Sequence, residues 1–223
     1  MADKNKQQNN TPERRYFDNP VSLVTRSDGE DSRIIRGYFA VFNKLSKTLG
    51  YFREKIDRNA FDDIDFANED IVALFNHNYD QIVGRTIGDP KMTLGVDDTG
   101  AWYEFEIPNT TIGNDLLENV KRKLVQHSSF SWPRWTVEDV WDEDPELGDI
   151  RTIKKFTRIL DVAPVVNPAY SDTTSDARNY DGAKKSYEAW KNDKRNEDEQ
   201  TEGTSLRVKT AKRYLEIERM RGK

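Results

Sequence analysis

Between Arg33 and Val166 the side chains change character at every second residue in most stretches, and at every fourth in only one. "RIIRGYFAVFN" at 33–43, "WYEFEIPNT" at 102–110 and "HSSFSW" at 127–132 alternate polar residues with aromatic or β-branched ones. That period places the two sets on opposite faces of a strand, so the centre of this chain must be built mainly from sheet. The exception is "IGNDLLENVKRKLV", where Ile112, Leu116, Val120 and Leu124 share one helical face. Asp115 lies near its N-terminal end and Lys121, Arg122 and Lys123 near its C-terminal end, where the helix dipole favours each sign. Many strands and few helices predict an α+β fold.

The remaining segments fill in that plan. "REKIDRNAFDDI" reads as a short helix or turn, and "DIVALFNH" as a buried strand that surfaces at its end. "MTLGVDD" and "WYEFEIPNT" flank an Asp-Thr-Gly turn and predict a hairpin. "TIKKFTRILDVAPVV" is the last strand region, closed by Pro168. Residues 1–32 are polar and rich in Asn, Gln, Lys and Arg, which predicts a flexible leader; 33–175 form the expected domain. Residues 176–204 read as a polar linker, and 205–223 as an amphipathic helix in which Val208, Ala211 and Leu215 share a face. Such a helix needs a partner surface, on its own domain or on another protein. The leader and linker agree with a composition of 35% hydrophobic and 34% charged residues, which is poor in core formers.

Several chemistries are excluded at once. The chain has no cysteine, hence no disulfide, no thiol nucleophile and no thiolate zinc site. Its two histidines, His77 and His127, are far apart, and "DGAKKS" lacks the spacing of a phosphate loop. No metal and no cofactor are therefore expected. A net charge of −5 provides no general attraction for nucleic acid or anionic lipid. "MADKNKQQNNTPERR" has no apolar core of a signal peptide, and no stretch approaches a membrane span. An intracellular chain is the expectation.

What chemistry is left centres on "HSSFSW". Ser129 and Ser131 share one face of the predicted strand, while Phe130 and Trp132 anchor the other. A hydroxyl held on a packed strand can act as a nucleophile only with a base in reach. His127 is on the face of Ser129 but roughly 6.5–7 Å along the strand. His77 follows the apolar run "IVALF", where it could meet a serine from a neighbouring strand. Asp161, inside the apolar "RILDVAPVV", is a carboxylate that is costly to bury unpaired. A histidine is its natural partner, because a carboxylate fixes the imidazole tautomer.

Four segments in this order resemble the prohead (capsid maturation) proteases of tailed bacteriophages, whose fold is similar to herpesvirus assemblin. They are "RGYFAVFN" with "YFREKIDRNAF", "ALFNHNYDQIVGRT", "SSFSW" and "ILDVAPVVNPAY", together covering residues 33 to 175. The resemblance implies an assemblin-like β-barrel core with covering helices, and a serine endopeptidase with His77 as base and Ser129 as nucleophile. Asp161 takes the orienting role, with Glu104 and Glu106 of "WYEFEIPNT" as competitors. The implied substrates are the major capsid protein, the scaffold protein and the enzyme itself, inside the procapsid in the host cytoplasm. A homodimer stays open. The chain departs from the family pattern at Ser131, where glycine is common, at "WPRW", and at Pro164. Two other readings stand beside it: a non-catalytic assembly module on the same fold, and a single-stranded nucleic-acid binder using "KRK" and the aromatic strand.

Overall fold

The computed structural model describes residues 12–17, 21–25, 31–166, 183–197 and 209. The chain divides into two compact units, Met1–Gly182 and Ala183–Lys223.

Among the described residues of the first unit, twelve strands form three sheets. Their ranges are β1 Glu13–Phe17, β2 Ser22–Thr25, β3 Asp31–Val41, β4 Phe52–Ile56, β5 Val72–Leu74 and β6 Ile82–Arg85. They continue with β7 Thr93–Val96, β8 Gly100–Glu106, β9 His127–Trp132, β10 Val137–Asp144, β11 Gly148–Phe156 and β12 Asp161–Val165. A five-stranded sheet runs β1-β9-β12-β5-β6, a four-stranded one β2-β3-β8-β7, and a three-stranded one β10-β11-β4. Among the described strands, β12–β5 and β11–β4 are parallel pairs and the other pairs are antiparallel. With helix α1, Thr111–Lys121, the unit is α+β as expected.

The expected barrel is not formed: among the described residues there are three separate sheets and no closed one. A barrel needs each strand bonded on both sides around a ring. Here β1 and β6 end the first sheet and β2 and β7 the second, and one core cluster draws on strands of all three sheets. Phe39 of β3, Phe130 and Trp132 of β9, Phe156 of β11 and Phe61 fill it, all essentially inaccessible to solvent. Their rings pack 4.7–6.0 Å apart, as in Phe61–Phe156 at 4.8 Å and Phe39–Phe130 at 5.4 Å. Gly37 permits the approach of β3 to β9, because a Cβ there would lie 2.5 Å from Ser128 Oγ.

Helix α1 starts with Thr110, whose Oγ1 accepts the Gly113 N–H at 3.1 Å. The expected apolar face is buried at Leu116 and Val120, but Leu124 is not on it. The helix stops earlier, and Lys123 at φ 59° turns the chain so that Val125 is buried in place of Leu124.

Residues 1–32 were expected as a flexible leader, yet 13–17 and 22–25 are strands. Strand 22–25 pairs with β3, and 13–17 is held by charge pairing at long range. Arg15 forms two bonds to Glu54 on β4, at 2.6 and 2.8 Å, and one to Glu13 at 3.1 Å. Arg151 on β11 reaches Glu54 at 3.0 Å, Glu13 at 3.3 Å and Asp139 at 2.5 Å. These side chains are buried, so "ERRYF" is polar without being solvated. Burial pushes the Glu54 carboxyl up, and the Arg15 and Arg151 guanidiniums outweigh it, leaving Glu54 below its ordinary value.

Removing one partner of such a network strands the others in a dry site. Glu54→Gln is expected to lose about 3–5 kcal/mol of stability, a fall of roughly 6–20 °C in Tm for a chain of this size. Because the folded value is depressed, the Glu54 contribution is complete above the ordinary value of 4.5 and fades as pH falls below it toward the folded one. Urea unfolding of both proteins at pH 7 and in that acid window checks this. A loss under about 1 kcal/mol at pH 7 would place the network among ordinary surface pairs.

The second unit also differs from expectation. Residues 183–197, placed in the linker by their polarity, are helical. Spacing of three and four residues stabilises them locally: Lys184–Glu188 at 3.9 Å, the Tyr187 and Trp190 rings at 5.8 Å, and Lys194 over Trp190 at 5.4 Å. The expected amphipathic helix over 205–223 lies outside the described residues except at Lys209. No helix among the described residues is long and apolar enough to cross a membrane.

Candidate active site

Strand β9 does what its alternation requires. Phe130 and Trp132 point into the core, and Ser129 and Ser131 point to the other face, where all four are inaccessible to solvent. Ser128, on the core face, bonds to Tyr103 Oη at 3.0 Å. Burial pushes the Tyr103 phenol far up, so it stays protonated. β9 is flanked by β1 and β12: Ser131 lies opposite Arg14 and Asp161, and Ser129 opposite Tyr16 and Ala163. Directly opposed residues project to the same face, so Asp161 is delivered beside Ser131 by register alone.

The histidine comes from the next strand. β5 runs parallel to β12 for two pairs, Asp161↔Val72 and Val162↔Ala73, and then leaves the sheet in a 3₁₀ turn, Phe75–His77. Asn76 and His77 both have left-handed backbone, at φ 54° and 58°. Each such residue costs roughly 1–3 kcal/mol unless its surroundings enforce it. The Asn76 side chain supplies part of that enforcement, accepting the Val166 N–H at 3.1 Å. Phe75 N–H to Gln81 O at 3.0 Å and Asn78 N–H to Phe75 O at 3.1 Å close the turn. The imidazole is buried rather than surfacing, as the end of "DIVALFNH" had suggested.

The result is a continuous chain of polar atoms. His77 Nε2 is 2.5 Å from Ser129 Oγ. His77 Nδ1 bonds to Asp161 Oδ1, and Ser131 Oγ donates to Asp161 Oδ2. Tyr79, an exposed residue just after the turn, stands near this group; partial burial first, and the Asp161 carboxylate second, push its phenol up. Chemically, a hydroxyl, an imidazole and a buried carboxylate in this order can move a proton off Ser129 while it attacks a carbonyl.

Other candidates fall elsewhere. Glu104 and Glu106 are on β8 of the four-stranded sheet, and Glu104 pairs with Arg36 at 3.7 Å. His127 opens β9 opposite Val165, two residues from Ser129. Trp132 is the last ladder residue of β9, opposite Glu13, and the chain turns after it, with the Pro133 carbonyl accepting from Thr136 Oγ1 at 2.7 Å, so only Pro133, Arg134 and Trp135 of "WPRW" leave the ladder. Pro164 stands in β12 beyond its last pair with β5, and the strand continues to Val165. Because Phe130 and Trp132 are inaccessible, β9 offers bases no stacking platform. Among the described residues no group of three or more metal-binding side chains occurs. Sequence reasoning did not find the partner of Ser131, whose only clue was a serine where the resemblance leads one to expect glycine.

A mixed-sheet protein with a buried hydroxyl–imidazole–carboxylate array belongs, by class, with proteins equipped for acyl transfer at serine. The model of the caudovirus prohead serine proteases matches residues 21–186, about three quarters of the chain, and the chain belongs to that family. Strand β1 lies outside the matched residues. Among solved structures, the bacteriophage T4 capsid assembly protease is similar at 11% identity and a TM-score of 0.47, over 71% of this chain and 100% of that one. No curated protein matches.

Proposed function

We propose that the protein is a serine endopeptidase that cuts capsid and scaffold proteins, and itself, within the assembling procapsid, with Ser129, His77 and Asp161 as its catalytic set. The observation that carries this reading is the Ser129–His77–Asp161 hydrogen-bond chain in a member of a prohead serine protease family. Ser129 Oγ attacks the peptide carbonyl carbon while His77 Nε2 takes the hydroxyl proton. The tetrahedral intermediate collapses, the C–N bond breaks, and His77 returns the proton to the departing amine. A water then attacks the acyl-enzyme, with its proton passing to His77 and on to Ser129 Oγ. Asp161 holds Nδ1–H and stabilises the imidazolium. Backbone N–H groups facing the oxyanion would add about 3–4 kcal/mol each.

A fluorophosphonate probe tests the assignment against a non-catalytic assembly role. The folded protein should form a covalent adduct that peptide mapping places on Ser129, and His77→Ala should suppress it. An adduct on another serine, or none on the folded chain, would refute the reading.

A further inference from the structure

Asp161 uses one carboxylate oxygen on His77, and Ser131 occupies the other. We propose that Ser131 is a positioning residue that fixes the plane of the Asp161 carboxylate and so holds His77 in line with Ser129. The inference rests on reading those three residues as the catalytic set.

Three observations support it. Ser131 and Asp161 are register partners on neighbouring antiparallel strands, so their contact is set by the backbone and not by a chance rotamer. Both side chains are buried, Ser131 at 0% and Asp161 at 1% exposure, so solvent is a poor substitute for the hydroxyl. A carboxylate turns easily about its terminal torsion, which has broad wells. One bond, to Nδ1, leaves that torsion loose; a second donor on the opposite oxygen defines it. A charge-assisted O–H···O⁻ bond is also stronger than a neutral one, and leaving the oxygen bare in a dry site is costly.

The three serines of β9 make an internal comparison possible. Ser128 is equally buried on the same strand, but its hydroxyl faces Tyr103 on the core side. A generic loss of packing or strand stability should follow from Ser128→Ala and Ser131→Ala alike. Only the second should reach the imidazole.

The experiment uses the full chain with Ser131→Ala, the isosteric pair Ser131→Thr and Ser131→Val, and Ser128→Ala. kcat and KM are measured separately on a cleavable peptide, and the His77 Nδ1–H proton is followed by NMR. With only two histidines in the chain, His127→Gln completes that assignment. Ser131→Ala and Ser131→Val should lower kcat on the order of tenfold with KM little changed, and should shift or broaden the Nδ1–H signal. Ser131→Thr should restore both, and Ser128→Ala should leave both near wild type. Should the alanine variant fail to fold, threonine against valine still isolates the hydroxyl. Wild-type kcat and signal in Ser131→Val overturn the proposal, as does a loss that Thr shares with Val. A wild type that neither cleaves nor labels refutes the catalytic reading instead, while the Nδ1–H comparison still reports whether Ser131 holds the Asp161–His77 pair.

Discussion

Ser129→Ala is expected to abolish peptide cleavage, with kcat/KM falling roughly 10⁴- to 10⁶-fold, while the protein stays folded. The side chain packs against nothing that a methyl would disturb: its strand is anchored by Phe130 and Trp132 on the opposite face. What it loses is the bond to His77 Nε2, at 2.5 Å, a change of about 1 kcal/mol in stability. The activity loss is several times larger than that in free energy, so the two effects separate cleanly. Peptide turnover and urea unfolding on one preparation give both numbers, and any self-cleavage should stop as well. Ser131→Ala is the internal check, because it removes a hydroxyl from the same face without removing the nucleophile. A dead Ser131→Ala beside an active Ser129→Ala would show that the register of roles is reversed.

How much of this site could be read from the chain depends on how local its causes are. The division of β9 into a packing face and a polar face is written in consecutive residues, so "HSSFSW" disclosed both the strand and the orientation of Ser129. Asp161 betrayed itself in the same way, as a charge among Ile159, Leu160, Val162 and Ala163. The bond from Ser131 to Asp161 was not visible, because it exists only once β12 pairs with β9 at that register. The positive φ at Asn76 and His77 has a weak sequence signal, since Asn and His tolerate left-handed backbone better than most residues.

The same distinction explains the two segments whose composition misled. Glu13, Arg14 and Arg15 look solvated beside their polar neighbours, but their strand is held by Glu54 and Arg151, 39 and more than 100 residues away. In 183–197 the stabilising contacts are one turn apart and were legible in principle; a count of polar residues obscured their spacing. Sheet closure lies at the far end of this scale. Whether β1 and β6 meet is decided by every intervening pairing, and no single segment states it.

Asp161→Asn should lower kcat by about 10⁴ while leaving Ser129 in place, and the hydrogen bond from Ser131 explains why so small a change does so much. The amide is nearly isosteric with the carboxylate, so packing in β12 is preserved. Its two ends are not equivalent, however. Ser131 donates to one carboxylate oxygen in the native site, and this contact keeps the amide oxygen on its side. The NH₂ group is then turned toward His77 Nδ1, which must accept, leaving the imidazole proton on Nε2. That nitrogen faces Ser129 Oγ, and a protonated Nε2 cannot take the hydroxyl proton. The expectation is a slow enzyme with near-native KM and slow fluorophosphonate labelling. Asp161→Asn combined with Ser131→Ala should lose less than the product of the two single losses, because without the serine the amide can turn over and offer its oxygen to Nδ1. Measured kcat values for the four proteins of that cycle give the coupling directly. Strictly multiplicative losses would separate Ser131 from the tautomer, and an Asp161→Asn enzyme of normal activity would move the orienting role away from β12 altogether.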